Sequence, residues 1–143
     1  MTSYASLLQA ASRLDANWRW PHFTLAELAC RCQGRYCHGS YWHDPEFLDG
    51  LEALRARIGK PIRINSGHRC ALWNAHIGGA PRSQHKQIAA DVCLAGHDRD
   101  TLFSAAQSAG FTGLGCGQNF LHIDRRARPA RWFYPGSLAL WKT

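Results

Sequence analysis

The stretch Ser83-Gln-His-Lys-Gln-Ile-Ala-Ala-Asp-Val-Cys-Leu94 decides how the chain folds, because it passes from a polar loop into a run of small and branched apolar residues. The run 89–94 is typical of a buried strand and places Asp91 within it. A second stretch, residues 119–125, predicts another short strand that carries His122. The two stretches therefore predict a pair of strands that hold polar side chains in apolar surroundings.

Outside these strands, three stretches have apolar residues at helical spacing, namely 4–16, 45–58 and 99–109. The middle one is the clearest, because Asp44-Pro45 precedes it and Gly59 ends it. Thr24 and Glu27 have the spacing of a capping box that opens one further helical turn.

The remaining segments complete the predicted fold. Residues 61–65 and 113–117 are predicted strands, whereas 30–43 and 66–88 are predicted loops, the second with a turn of helix. The order helix, strand, long loop, strand, helix, strand, strand predicts an α+β domain with a small, mainly antiparallel sheet and flanking helices. We treat 1–143 as a single domain.

Composition narrows the function classes. The 143 residues are 45% hydrophobic and 19% charged, which argues against disorder, and no run approaches the ~20 apolar residues of a membrane span. The net charge of +7 suits an anionic partner such as nucleic acid, a membrane surface or a cell wall. The arginines at 125, 126, 128 and 131 are interpreted as a solvated basic run. They lead into a basic, aromatic C-terminal tail over 127–143, whose residues Trp132, Phe133 and Tyr134 are expected to pack in the core or within the tail.

His85, Asp91 and His122 are the candidate metal ligands. Two histidines and one carboxylate form a mixed nitrogen and oxygen set that suits catalytic zinc with one open position for water. The alternative from spacing alone is that His122 is a hydrogen-bonded core residue and that His85 faces water.

Several motifs, taken in order, resemble the D-Ala-D-Ala carboxypeptidase family of zinc peptidoglycan peptidases, whose small members include phage endolysins. They are Ile64-Asn-Ser-Gly-His-Arg-Cys70, Asn74, Gly78-Gly-Ala-Pro-Arg-Ser-Gln-His85, Ala89-Ala-Asp-Val92 and Phe120-Leu-His-Ile-Asp124. The resemblance covers residues 22–126. It implies the hedgehog-like metallopeptidase fold, one zinc ion on the three ligands above, and hydrolysis of a peptide bond in peptidoglycan stem peptides or cross-links, as a carboxypeptidase or an endopeptidase.

The resemblance also implies roles for neighbouring residues. Arg69 would stabilise the oxyanion, and Ser83 would orient a ligand or help to bind substrate. Asp124 follows His122 by two positions and so shares its face of the strand, where it would act as the general base, orient the zinc water, or pair with an arginine. Trp73, in the long loop, is the best candidate for stacking on a sugar or peptide.

Three departures from the family pattern motivate an alternative. His85 and Asp91 lie six positions apart instead of seven, without the usual glycine between them, and His68 replaces a tyrosine. Residues 117–119 hold no general base. The alternative is a catalytically impaired relative that binds the cell wall.

Four cysteines, Cys30, Cys32, Cys37 and Cys70, form a second candidate cluster. They are compatible with a second, structural zinc site, with disulfides, or with free thiols. Cys93 and Cys116 lie in predicted strands and are expected to be small core residues.

Partners and location follow from the same features. The first 18 residues lack the pattern of a secretory leader, so we expect synthesis in the cytoplasm and action on the cell wall after holin-type release. The expected partner is a peptidoglycan peptide and the expected state a monomer. A nucleic-acid-binding module is not expected, because the basic residues are spread along the chain and the cysteine spacing fits no common zinc finger.

Overall fold

In the computed structural model, residues 1–142 are described, and within this range helices and strands alternate along the chain. The helices are α1 (Leu7–Leu14), α2 (Leu25–Leu28), α3 (Pro45–Ile58), α4 (Ala71–His76) and α5 (Arg99–Ser108). The strands are β1 (Thr2–Tyr4), β2 (Tyr41–His43), β3 (Ile64–Ser66), β4 (Ala90–Cys93), β5 (Gly113–Cys116), β6 (Phe120–Asp124) and β7 (Ala130–Phe133).

A five-stranded sheet forms the centre of the fold, with the strand order β3-β4-β6-β5-β7. The first three pairings are antiparallel, and only β5 and β7 run parallel. Helices α3 and α5 pack against one another and contribute to the same core as the sheet. The predicted α+β class with a small, mainly antiparallel sheet and flanking helices is confirmed.

Helix α3 shows why the predicted boundaries were accurate. The Asp44 carboxylate accepts hydrogen bonds from the backbone N–H groups of Glu46 and Phe47, and Gly59 ends the helix in a left-handed conformation with a φ of 68°. Its apolar side chains are fully buried and form the largest helical part of the core, at Phe47, Leu48, Leu51 and Leu54. This face packs the helix into the core that it shares with α5.

Short elements at the N-terminus differ from the prediction. The helix predicted over 4–16 is confined to Leu7–Leu14, because Thr2–Tyr4 is a strand that pairs antiparallel with β2. The loop predicted over 30–43 likewise ends in a strand. Strands of three residues whose partners lie some 40 positions away leave no local period to recognise.

The C-terminal segment is a correction. We expected 127–143 to be a tail outside the sheet, with its arginines solvated, but Ala130–Phe133 adds the fifth strand to the sheet. Beyond it, Trp141 is 6% exposed and its indole N–H donates to the carbonyl of Gly117 over 2.9 Å. Each interaction is with residues distant in sequence, which a charge run does not reveal.

Within residues 1–142, none of the helices has the length and apolar character needed to cross a membrane.

The buried C-terminal segment leads to a first prediction. Trp141→Ala should lower the free energy of unfolding by about 3 kcal/mol, because it empties a packed site beside Phe103 and leaves the Gly117 carbonyl without its donor. Urea denaturation measures this loss. The matched control is Leu138→Ala, whose side chain is 66% exposed and whose removal should change stability by less than about 0.5 kcal/mol. Equal effects of the two substitutions would show that Trp141 is not packed in the core and that the C-terminal segment is a tail.

Candidate metal centre

The pairing of β4 with β6 places two of the candidate ligands side by side. Asp91 and His122 are directly opposite each other in the register of the two strands. His85 reaches them from the 3-10 turn Gln84–Lys86, which immediately precedes β4. The structure therefore brings together all three residues that the sequence singled out as metal ligands.

Three ligand atoms converge at this point. The Nε2 atom of His85 lies 3.1 Å from Oδ1 of Asp91, Nδ1 of His122 lies 3.2 Å from the same oxygen, and the two nitrogens are 3.2 Å apart. Atoms bound about 2.0–2.1 Å from a tetrahedral zinc ion lie roughly 3.3 Å from one another. The triangle therefore has the size that one zinc ion needs.

The outer nitrogen of each ring fixes which tautomer is present. His85 Nδ1 lies 2.7 Å from the carbonyl of Gly67, and His122 Nε2 lies 2.7 Å from the carboxylate of Asp124. Both partners only accept hydrogen bonds, so each outer nitrogen carries a proton. In the neutral rings the inner nitrogens present lone pairs, and together with Asp91 they form three acceptors with no donor between them. A cation satisfies such a set.

The pKa directions agree with this attraction for positive charge. Burial disfavours the charged form of His122, but hydrogen bonds to Asp124 and Asp91 raise its pKa above the ordinary value. Burial likewise opposes ionisation of Asp91, yet hydrogen bonds from His122 and His85 hold its pKa well below the usual range. Both directions favour positive charge at the position between these three residues.

Asp124 lies beneath the metal centre, in the protein interior. It is fully buried, and besides His122 it binds Arg126, whose Nη2 lies 2.6 Å from its Oδ2. Burial opposes its ionisation, but the hydrogen bonds from Arg126 and His122 keep the pKa of Asp124 far below its usual range. Of the roles left open by the sequence, the structure favours the ion pair with an arginine, and Asp124 also positions the His122 ring.

Arg69 stands beside the ligands in a fixed orientation. Its Nη2 donates to Oδ2 of Asp91 over 3.3 Å, its Nε to Ser66 and its Nη1 to Asn74. Asn74 is almost fully buried and donates in turn to the carbonyl of Ala80. Three acceptors on three different elements therefore hold the guanidinium group at the edge of the metal centre.

A cleft of about 530 Å³ opens over the metal centre. It is lined by Arg69, Ile77, Gly78, Gly79, Ala80, Arg82, Ser83, Gln84, His85, Asp91, Phe120, His122, Arg126, Trp132 and Tyr134. Its charge is dominated by three arginines, and one of its walls is aromatic. Such a lining suits a ligand with carboxylate groups.

The predicted binding residues Ser83 and Trp73 occupy different places. Ser83 lines the cleft, and its hydroxyl accepts the backbone N–H of His85 over 3.1 Å, which caps the turn that carries this ligand. Trp73 lies on α4, stacked on His76 with ring centroids 5.4 Å apart, and is not among the cleft-lining residues.

Sequence reasoning missed the aromatic wall, which comes from the C-terminal segment. Trp132 lies on β7 with its ring 5.2 Å from that of His122, and Tyr134 follows two positions later. Gly115 stands between Trp132 and His122 in the register, and a side chain there would collide with the indole. The one available signal was the alternation of Trp132 and Tyr134, which places both on one face of a strand.

The short spacing between His85 and Asp91 is accommodated by the preceding turn. Gln87 adopts an irregular backbone conformation with a φ of −107° and a ψ of −106°. The ring of His68 holds this position, because its Nδ1 lies 2.6 Å from the carbonyl of Gln87. Burial lowers the pKa of His68 and so favours its neutral form. The histidine that replaces the family tyrosine therefore braces the shortened turn.

The four predicted cysteines also come together. The sulfur atoms of Cys30, Cys32, Cys37 and Cys70 all lie within 4.8 Å of one another, separate from the cleft lining. Cys116 is buried in the core as expected, whereas Cys93 is partly exposed.

Comparison with known proteins agrees with this geometry. A family model described as Peptidase M15 matches residues 21–124, which is more than half of the chain and includes every residue of the metal centre. A search of curated proteins gives no match.

The position of Asp124 leads to a second prediction. Asp124→Asn should weaken metal binding about 10- to 100-fold, because the residue that orients the His122 ring loses its charge. Titration of zinc against a chromophoric chelator measures the affinity. Glu46→Gln is the matched control, since this carboxylate is 80% exposed at its side chain and pairs with the neighbouring Arg125. An unchanged affinity in Asp124→Asn would show that the pair does not support the metal.

Proposed function

Because the chain belongs to the peptidase M15 family, we propose that it is a zinc-dependent hydrolase of peptide bonds in bacterial peptidoglycan. The observation that carries the proposal is the convergence of His85 Nε2, Asp91 Oδ1 and His122 Nδ1 in an arginine-lined cleft. The family supports a metallopeptidase. The zinc ion and the peptidoglycan substrate are the parts that we propose.

The residues present fit zinc as the metal. Three ligands from the protein leave the fourth tetrahedral position open toward the cleft, as in catalytic zinc sites. A bound zinc ion lowers the pKa of a water molecule and polarises the carbonyl group of a substrate. Gly67 and Asp124 contribute by holding the two histidine rings so that their unprotonated nitrogens face inward.

Arg69 is the proposed donor to the oxygen on which negative charge develops. Three of its five N–H groups have acceptors within the described residues, so two remain for a substrate oxygen. Because the guanidinium is already fixed by Ser66, Asn74 and Asp91, little reorganisation is needed when the charge appears.

The proposed substrate class follows from the charge of the cleft. Stem peptides of peptidoglycan carry carboxylates, and Arg82 and Arg126 line the cleft next to the metal centre. Trp132 and Tyr134 offer an apolar wall for the peptide backbone. The net charge of +7 favours adsorption to an anionic wall, and the same proposal places the action of the protein there, after holin-type release.

One observation favours a second candidate function. Among the described residues that line the cleft, Asp91 is the only carboxylate, so no separate acidic base stands next to the metal centre. A protein that holds wall peptides without cutting them has the same cleft and the same ligands. The assay below distinguishes the two.

The proposal predicts that the zinc-loaded protein releases new amino groups from purified peptidoglycan and that a chelator stops the release. In Arg69→Gln, kcat should fall about 100- to 1,000-fold with zinc content retained, because a fixed donor to the oxyanion is lost. Amine derivatisation followed by mass spectrometry of the fragments measures both effects and identifies the bond that is cut.

Arg63→Gln is the matched control. Arg63 is an exposed arginine that precedes β3 and does not line the cleft, so its substitution should leave kcat unchanged. Binding of the zinc-loaded wild type to peptidoglycan without amine release would contradict hydrolysis and establish the second candidate.

A further inference from the structure

Four cysteine sulfurs from two distant parts of the chain meet outside the cleft. Cys30, Cys32 and Cys37 lie in the segment that follows α2, whereas Cys70 caps the N-terminus of α4. All four sulfur atoms are within 4.8 Å of one another, and those of Cys32 and Cys37 are 3.5 Å apart. None of the contacts described for the metal centre uses these atoms.

Each of the four sulfurs accepts a hydrogen bond from a backbone N–H group. The donors are Cys70 N to Cys30 Sγ, Cys37 N to Cys32 Sγ, Ser40 N to Cys37 Sγ and Trp73 N to Cys70 Sγ, at 3.3–3.4 Å. A neutral thiol is a weak acceptor, whereas a thiolate is a strong one. Four N–H groups that point at four clustered sulfurs therefore favour thiolates. Clustered thiolates repel one another and require a cation.

The segment 31–40 gives an independent reason for a cross-link. Cys32 is its only buried residue, so the segment has almost no apolar core of its own. Its backbone turns sharply after Cys32, because Gln33 and Gly34 both have positive φ, at 58° and 82°. A segment of this kind holds one conformation when a metal ion or a disulfide ties it down.

The geometry favours a metal ion over disulfides. Sulfurs bound at ~2.3 Å to a tetrahedral zinc ion lie roughly 3.8 Å apart. This size matches a cluster in which one pair of sulfurs is 3.5 Å apart and all four lie within 4.8 Å of one another. A disulfide joins only two sulfurs and gives no reason for four to converge. Four sulfur ligands at one point select zinc or an iron–sulfur centre, and zinc needs no inorganic sulfide.

We propose that Cys30, Cys32, Cys37 and Cys70 hold a structural zinc ion, distinct from the metal of the cleft. The ion ties the segment 31–40 to the start of α4. This inference goes beyond the proposed function and does not depend on it, since none of the four cysteines lines the cleft.

The proposed ion has a consequence for the cleft, because its last ligand directly follows Arg69. The carbonyl of Gly67, two residues before Arg69, accepts a hydrogen bond from Nδ1 of His85. The backbone N–H of His68 donates to the carbonyl of Leu28, which lies two positions before Cys30. The cysteine cluster and the segment Gly67–Cys70 are therefore one connected unit. Loss of the ion should loosen the support of His85 and Arg69.

The test measures zinc in the full chain, purified under reducing conditions. Cys70→Ser should lower the zinc content by about one ion per chain. Serine can still cap α4, so this variant keeps the local hydrogen bond to Trp73 N. The matched control, Cys93→Ser, should retain the wild-type content, since Cys93 lies on β4 away from the cluster. Equal zinc contents in the two variants would overturn the proposal.

Cobalt provides a readout in the wild-type protein, so this test does not depend on whether a variant folds. Wild-type protein reconstituted with Co²⁺ should show intense sulfur-to-cobalt charge-transfer absorption in the near ultraviolet, which His122→Ala retains and Cys70→Ser weakens. Absence of this band in the wild type would overturn the proposal, as would an intact mass that shows the four cysteines oxidised in pairs in protein purified with reductant. Loss of hydrolysis while the band is present would contradict only the proposed function of the cleft.

Discussion

The antiparallel pairing of β4 with β6 is the constraint on which the rest of the site depends. It places Asp91 and His122 in one row across the sheet, and the same row continues to Ser66 on one side and to Gly115 and Trp132 on the other. A slip of one residue in this register would turn the ligands toward the opposite face. The apolar residues that alternate with them, Val92 and Leu121 among them, are buried in the core and make such a slip costly.

The two carboxylates of the site, Asp91 and Asp124, have similar partners. Asp91 lies against the inner nitrogens of both histidines and accepts from Arg69, while Asp124, one layer deeper, accepts from His122 and Arg126. Each carboxylate is thus bound to one arginine and at least one histidine. Buried charges of this kind are stable only when they are paired and hydrogen-bonded. The pairing leaves the inner nitrogens of the histidines as the unsatisfied groups, and these face the position proposed for the metal ion.

The sequence predicted those parts of the molecule whose signals are local. Helix α3 has a cap, a proline and a stop, and β4 and β6 are apolar runs, so their positions were correct to within one or two residues. The three ligands were found from their residue types and from the motifs around them. The role of His68 was not predicted, because it braces the shortened turn through a contact 19 positions away.

The parts that were missed depend on pairing between distant segments. Strands β1, β2 and β7 have three or four residues each, and β7 is recognised only when its parallel partner β5 is known. For that reason Trp132 and Tyr134 were expected to pack in the core or the tail, and Trp73 was preferred as the aromatic binding residue. The type of a residue indicates the chemistry that its side chain can perform, whereas the pairing of the strands determines whether it lines the cleft.

The measurement that tests this account most directly is anomalous diffraction at the zinc absorption edge from crystals of the zinc-loaded protein. The account predicts a peak about 2.0–2.1 Å from Nε2 of His85, Nδ1 of His122 and a carboxylate oxygen of Asp91, with His122 Nε2 still bound to Asp124. Coordination through Nε2 of His122, or no peak between these three residues, would contradict it.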